Sequence, residues 1–169
     1  MRIAGVAAAI AAALALQTTL ARFVVRGTVA VDLVLVVVVY VALTFGPVAG
    51  MLTGTVAGLI QDALSSGVIG IGGLANTVVG FLAGIIGTQF IVAQPVPRFV
   101  VFLGSTALHA LIFMGLYTLL DLRHFGTPYA AVGWQAVGNA IVGVVAFQLV
   151  ELLPGAVERR HAARTRLRR

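Results

Sequence analysis

Six long apolar runs divide this chain, and nothing else in it restricts the fold so severely. They cover about residues 3–20, 29–45, 48–64, 71–93, 98–121 and 131–153. Each approaches the ~20 residues that a helix needs to cross the hydrocarbon core of a bilayer. Only 9% of the 169 residues are charged, against about 25% in soluble domains. The 20 glycines lie among Val, Leu and Ala. Disordered segments are polar, so this mixture reads instead as packed membrane helices. The expected architecture is an all-α integral membrane protein, a six-span helical bundle over residues 1–155 followed by a basic tail over 156–169. The count falls to five if the second and third runs form a hairpin that does not cross fully.

The connections are written in turn chemistry. Gly46-Pro47 joins runs two and three as a tight helical hairpin, with glycine suited to the end of one helix and proline to the first turn of the next. Ser65, Ser66, Gly67 and Gly70 form the following turn. Gln94-Pro95-Val96-Pro97 reads as a rigid, extended connection before a span that starts at Arg98. The sixth span is expected to stop at Pro154-Gly155. Ala13 and Ala15 give the first run an A-x-A-like site that also fits a signal peptide; a retained helix is the expectation here.

All 11 basic residues are arginine, and six of them (Arg159, Arg160, Arg164, Arg166, Arg168 and Arg169) lie in the last 11 positions. The net charge of +6 is therefore a property of the tail and gives no groove for nucleic acid. With six spans, Arg2, Arg98 and the tail share one side, while Arg22, Arg26 and Arg123 share the other. The richer side is expected to be cytoplasmic, with both termini there. The tail could also rest on anionic lipid, at ~1 kcal/mol per basic residue near the surface. A plain topology anchor is the simpler reading.

Small residues recur every four positions at Gly46, Gly50, Gly54 and Gly58, which makes one narrow stripe on a helix. The next run repeats the pattern with Gly72, Asn76, Gly80, Gly84 and Thr88. Such stripes let another backbone approach closely. The first expectation is packing between these two spans within one subunit; the sharper one is that a stripe receives a partner's helix. Asp32, Asp62 and Asp121 lie near the outer ends of spans. A carboxylate at membrane depth needs compensation, and Arg22 or Arg26 is the plain partner for Asp32. His109, near the middle of span five, and Asn76, Asn139 and Gln148 read as interhelical hydrogen-bonding groups. His109, Asn76 and Asn139 could also line a small pocket. The chain has no cysteine, and no nucleophile or metal-ligand spacing accompanies the acids. Catalysis, a metal and a cofactor are not expected. The glycines of 67–73 lack the lysine and spacing of a phosphate-binding loop.

Residues 31–84 resemble the rod-shape-determining membrane protein family MreD. The resemblance rests on Asp32 opening an apolar span, the Gly46-Pro47 hairpin, Gly50, Gly58-Leu59, Asp62, Ser65-Ser66-Gly67, Gly70 and Gly80. Val31 departs from the proline that often precedes the acid in that family, so the first turn there could differ. The resemblance implies a non-catalytic scaffold of the bacterial cell-elongation complex, supporting peptidoglycan synthesis. It implies the single-span protein MreC and other rod-complex components as partners, and a fold like the substrate-binding subunits of energy-coupling-factor vitamin transporters. Interface candidates are then Asp32, Gly46, Pro47, Gly50, Gly54, Gly58, Asp62, Ser65, Gly67, Gly80 and Gly84, with self-association a further use of such faces. The alternative is a small-solute-binding membrane subunit. An ion or proton channel has only one midplane ionisable group to support it.

Overall fold

The computed structural model describes the backbone of residues 2–23, 31–65, 68–90, 94–122 and 129–166, and the side chains of 4–19, 31–65, 68–90, 94–122 and 130–152. Gly67 and the side chains of Arg22, Arg26, Arg123 and the six tail arginines lie outside the described residues. Every regular element among them is a helix: α1 (Arg2–Phe23), α2 (Leu33–Phe45), α3 (Pro47–Leu64), α4 (Ile71–Gln89), α5 (Pro95–Leu119) and α6 (Tyr129–Arg166).

α2 is the central element. Its first turn is closed by Asp32, whose Oδ1 accepts the Leu35 N–H at 3.1 Å, the standard use of an acid as an N-cap. Its valine-rich body is buried over most of its surface, with Val34, Leu35, Val38, Val39 and Ala42 at most 1% exposed and Leu33, Val37 and Tyr40 half-buried. β-Branched residues are ordinary helix formers at best, so burial rather than propensity holds this helix. One face packs with Val79 and Ala83 of α4, Phe102 of α5, and Ala140 and Phe147 of α6. The other packs with Ala13 and Leu14 of α1 and Ala57 of α3.

The Gly46-Pro47 hairpin forms as the spacing requires. Gly46 adopts φ 90°, a conformation that residues with a Cβ rarely reach, and its N–H donates to the Ala42 carbonyl at 2.9 Å. Pro47 follows at the start of α3. Gly70, at φ 107°, performs the corresponding turn into α4.

Several boundaries differ from the sequence expectation, among them the end of α4, at Gln89 and not near residue 93. α5 begins at Pro95 instead of Arg98, because a proline in a first turn gives up an N–H that has no helical partner anyway. α6 runs past Pro154-Gly155 to Arg166; the Ala-, Glu- and Arg-rich residues beyond favour helix strongly enough to continue it. α2 has 13 residues, so it is about 20 Å long. Among the described residues, three helical stretches are long and apolar enough to cross a membrane, Ile71–Gln89, Pro95–Leu119 and Ala130–Leu152.

Candidate functional site

α3 and α4 run antiparallel with their small-residue stripes facing. A Cβ on Gly50 would strike the Gly80 carbonyl oxygen, and one on Gly80 would strike the Gly50 carbonyl oxygen. At Gly54 it would lie 2.6 Å from the Asn76 carbonyl carbon, at Gly58 2.7 Å from Gly73 Cα, and at Gly84 2.5 Å from Pro47 N. Four steps of one register are thus backbone against backbone. Dispersion is gained where lipid tails supply no hydrophobic drive. Both stripes are used inside the chain.

α5 and α6 also pair antiparallel, by different means. The Phe102 ring seats on Gly143, where a Cβ would come within 2.5 Å of it. One turn on, Asn139 Nδ2 donates to Thr106 Oγ1 at 3.1 Å, and that hydroxyl donates to the Phe102 carbonyl at 2.9 Å. One turn back, Arg98 lies 4.4 Å over the Phe147 ring and pairs with Glu151 at 2.5 Å.

The hairpins meet in a buried polar cluster at the Asp32 end of α2. Asp32 N–H donates to Asn139 Oδ1 at 2.8 Å, and Asp32 Oδ1 also accepts from Gln61 Nε2 at 3.3 Å. Gln61 Oε1 accepts from Asn76 Nδ2 at 3.4 Å. Beside this chain, Asp62 Oδ2 accepts the Gly70 and Gly73 N–H groups at 2.8 and 3.0 Å. A helix N-terminus is a natural anion site, and here the protein's own carboxylate fills it. Gly72 leaves it room, since a Cβ there would meet Asp62 Oδ1. Ser65 closes α3, its hydroxyl donating to the Asp62 carbonyl at 3.0 Å. His109 is partly buried and stacks on Phe113 at 5.9 Å.

Asp32, Asn76 and Asn139 are therefore brought together through Gln61, with Asp62 beside it, whereas the contact seen for His109 is with Phe113 of its own helix. Gly46, Pro47, Gly50, Gly54, Gly58, Gly80 and Gly84 lie along the α3–α4 seam. The expected ion pair of Asp32 with Arg22 or Arg26 falls outside the described residues; the contacts seen for the Asp32 carboxylate are the Leu35 N–H and Gln61. Sequence reasoning missed Gln61, Thr106 and the Arg98–Glu151 pair. Gln61 adjoins Asp62 at the polar end of a small-residue helix, which was a usable signal. Glu151 is 53 residues from Arg98, and nothing local marks that partnership. Among the described residues no group of three His, Cys, Asp or Glu side chains is arranged to hold a metal ion.

A family model described as rod shape-determining protein MreD matches residues 3–155. No curated protein and no solved structure matches the chain. The match takes in both helical hairpins, the central helix and the whole polar cluster, so the chain belongs to the MreD family of rod shape-determining membrane proteins.

Proposed function

We propose that this MreD-family protein is a non-catalytic scaffold of the rod complex that docks the transmembrane helix of an MreC-type single-span partner on the outer face of the α3–α4 pair. The observation that carries this reading is the direction of the side chains along α3. Its glycines face α4, while Val48, Leu52, Val56 and Ile60 recur on the opposite side at 42–60% exposure. Leu74, Phe81, Leu82 and Ile86 of α4 are exposed as well. Backbone-to-backbone contact makes the pair stiff, and a stiff apolar face loses little freedom on binding another helix. The acids and amides contribute by fixing helix ends, so Asp32, Asp62 and Ser65 hold the platform in shape. In this reading all six helices cross, both termini are cytoplasmic, and the tail over 156–169 lies at the inner surface near anionic lipid.

Two substitutions test the assignment. Val56→Trp changes only the outward face and should abolish co-purification of MreC while leaving the thermal midpoint unchanged. Gly54→Leu drives a side chain into the Asn76 carbonyl and should lower both stability and yield. Undiminished co-purification with Val56→Trp and Leu52→Trp would remove α3 as the docking face.

A further inference from the structure

The apolar outer face of the α3–α4 pair is interrupted at its centre by two hydroxyls. Thr55 Oγ1 and Thr77 Oγ1 lie 2.8 Å apart across the seam, and both residues are half-buried. Each stands two positions from a residue packed with α2, Ala57 for Thr55 and Val79 for Thr77. Two positions turn a helix by about 200°, so both threonines are on the side away from α2. Leu52 and Leu59 flank Thr55 along α3, and Leu74 and Phe81 flank Thr77 along α4, at 40–57% exposure. Residues at this three- and four-residue spacing share a helix face. A polar centre with an apolar rim results.

Counting hydrogens gives the centre its character. A threonine hydroxyl has one hydrogen and two acceptor lone pairs. Thr55 Oγ1 is 2.9 Å from the Met51 carbonyl and Thr77 Oγ1 2.6 Å from the Gly73 carbonyl, besides their contact with each other. Two hydrogens therefore serve three short contacts, all of them inside the chain. Lone pairs are left over in every arrangement. The pair can accept a hydrogen from outside and has none to give. Lipid tails offer no donor, and no water is at hand in the bilayer core. A docked helix spends its main-chain N–H groups internally, so a donor must come from a side chain. A carboxylate brings only acceptors, and a cationic group at mid-span is costly. Neutral donors remain, and hydroxyls and carboxamides are the ones that bond across membrane helices.

We infer that the helix received on this face carries a hydroxyl or carboxamide donor near the middle of its span, and that Thr55 and Thr77 select it. This rests on the docking reading above and names the chemistry of its partner. The test measures binding of the full chain to MreC in lipid nanodiscs. Thr55→Val with Thr77→Val removes both hydroxyls at nearly constant shape. That pair should raise the Kd about three- to tenfold, whereas Thr55→Ser with Thr77→Ser should bind as wild type. Replacing the matching donor of MreC by leucine should cost a similar factor against wild type and nothing further against the valine pair. Independent losses would overturn the inference. Wild-type affinity in the valine pair, with binding lost in Val56→Trp, overturns the donor and leaves the docking face in place. Wild-type affinity in the valine pair, Val56→Trp and Leu52→Trp alike overturns both. Should the valine pair fail to fold, each hydroxyl and carboxamide in the middle of the MreC span is replaced in turn, and binding unaffected by every change overturns the inference equally.

Discussion

The two hairpins, α3–α4 and α5–α6, share a four-residue step and an antiparallel course, yet they are filled in opposite ways. In the first, Gly50, Gly54, Gly58, Gly80 and Gly84 meet main chain, and the side chains between the helices are few, chiefly the Thr55–Thr77 hydroxyl pair, Leu59 against Gly73 and Asp62 against Gly72. In the second, a large group from α5 meets a small or polar one from α6: Phe102 on Gly143, Thr106 with Asn139, Arg98 with Phe147 and Glu151. Where backbone meets backbone the seam cannot adjust, because an added Cβ at Gly50, Gly54, Gly80 or Gly84 collides with main chain on the other side. A side-chain seam can yield by rotating a ring. The α3–α4 half is therefore the rigid one, and it lies beside the outward face proposed for docking.

The sharpest way to break the comparison is a single methyl group. Gly80→Ala places a Cβ against the Gly50 carbonyl, with Gly50 C at 2.7 Å, and neither helix can move without losing the rest of the register. We expect destabilisation of about 3 kcal/mol or more, read as a fall in Tm and in yield of folded protein. A stability change below about 1 kcal/mol would mean that the α3–α4 seam is as compliant as its counterpart.

A smaller effect is expected at the closure of the rigid pair. Asp62→Ala removes the acceptor for the Gly70 and Gly73 N–H groups and leaves the latter buried without it. Hydrogen bonds to a charged group contribute about 1.5–3 kcal/mol, and the loss should be about 2–3 kcal/mol. Hydrogen exchange at the first turn of α4 should rise with it. Exchange confined to other helices would sink the capping role.

Gly143→Ala is the matched counterpart of Gly80→Ala. Its Cβ would overlap the Phe102 ring at 2.5–2.6 Å, a clash comparable with those of the first seam. The obstacle is a side chain, so the expected loss is only about 1–2 kcal/mol. Adding Phe102→Leu should recover part of it. No second-site side-chain change should rescue Gly80→Ala, and a rescue there would erase the distinction between the hairpins.

Much of the first hairpin was legible in the residues themselves, because glycine periodicity states where side chains are missing. Gly46-Pro47 and Asp62 announced a turn and a helix end through local rules that act over a few residues. The choice between an internal seam and a partner's groove was not legible: Gly50 and Gly54 look the same whatever covers them. The second hairpin was almost silent. Its contacts join ordinary residues far apart in sequence, such as Thr106 with Asn139, and no periodicity marks them. The start of α5 at Pro95 and the run of α6 through Pro154 were misread for a related reason, since a proline's effect depends on which N–H the helix can do without.

Gly104 gives the mildest test and separates the two uses of small residues. It lies on the outer side of α5, and a Cβ there would meet nothing within 4 Å. Gly104→Ala should therefore leave stability unchanged or raise it by up to about 0.5–1 kcal/mol, the ordinary helix advantage of alanine over glycine. Partner binding should also be unaffected if docking is on α3 and α4. Suppose instead that MreC co-purification falls while Tm holds. Gly104 would then be an open small residue that a neighbour's backbone needs, and the docking face would move to the compliant hairpin. The same methyl group thus distinguishes a glycine that builds the subunit from one that receives another.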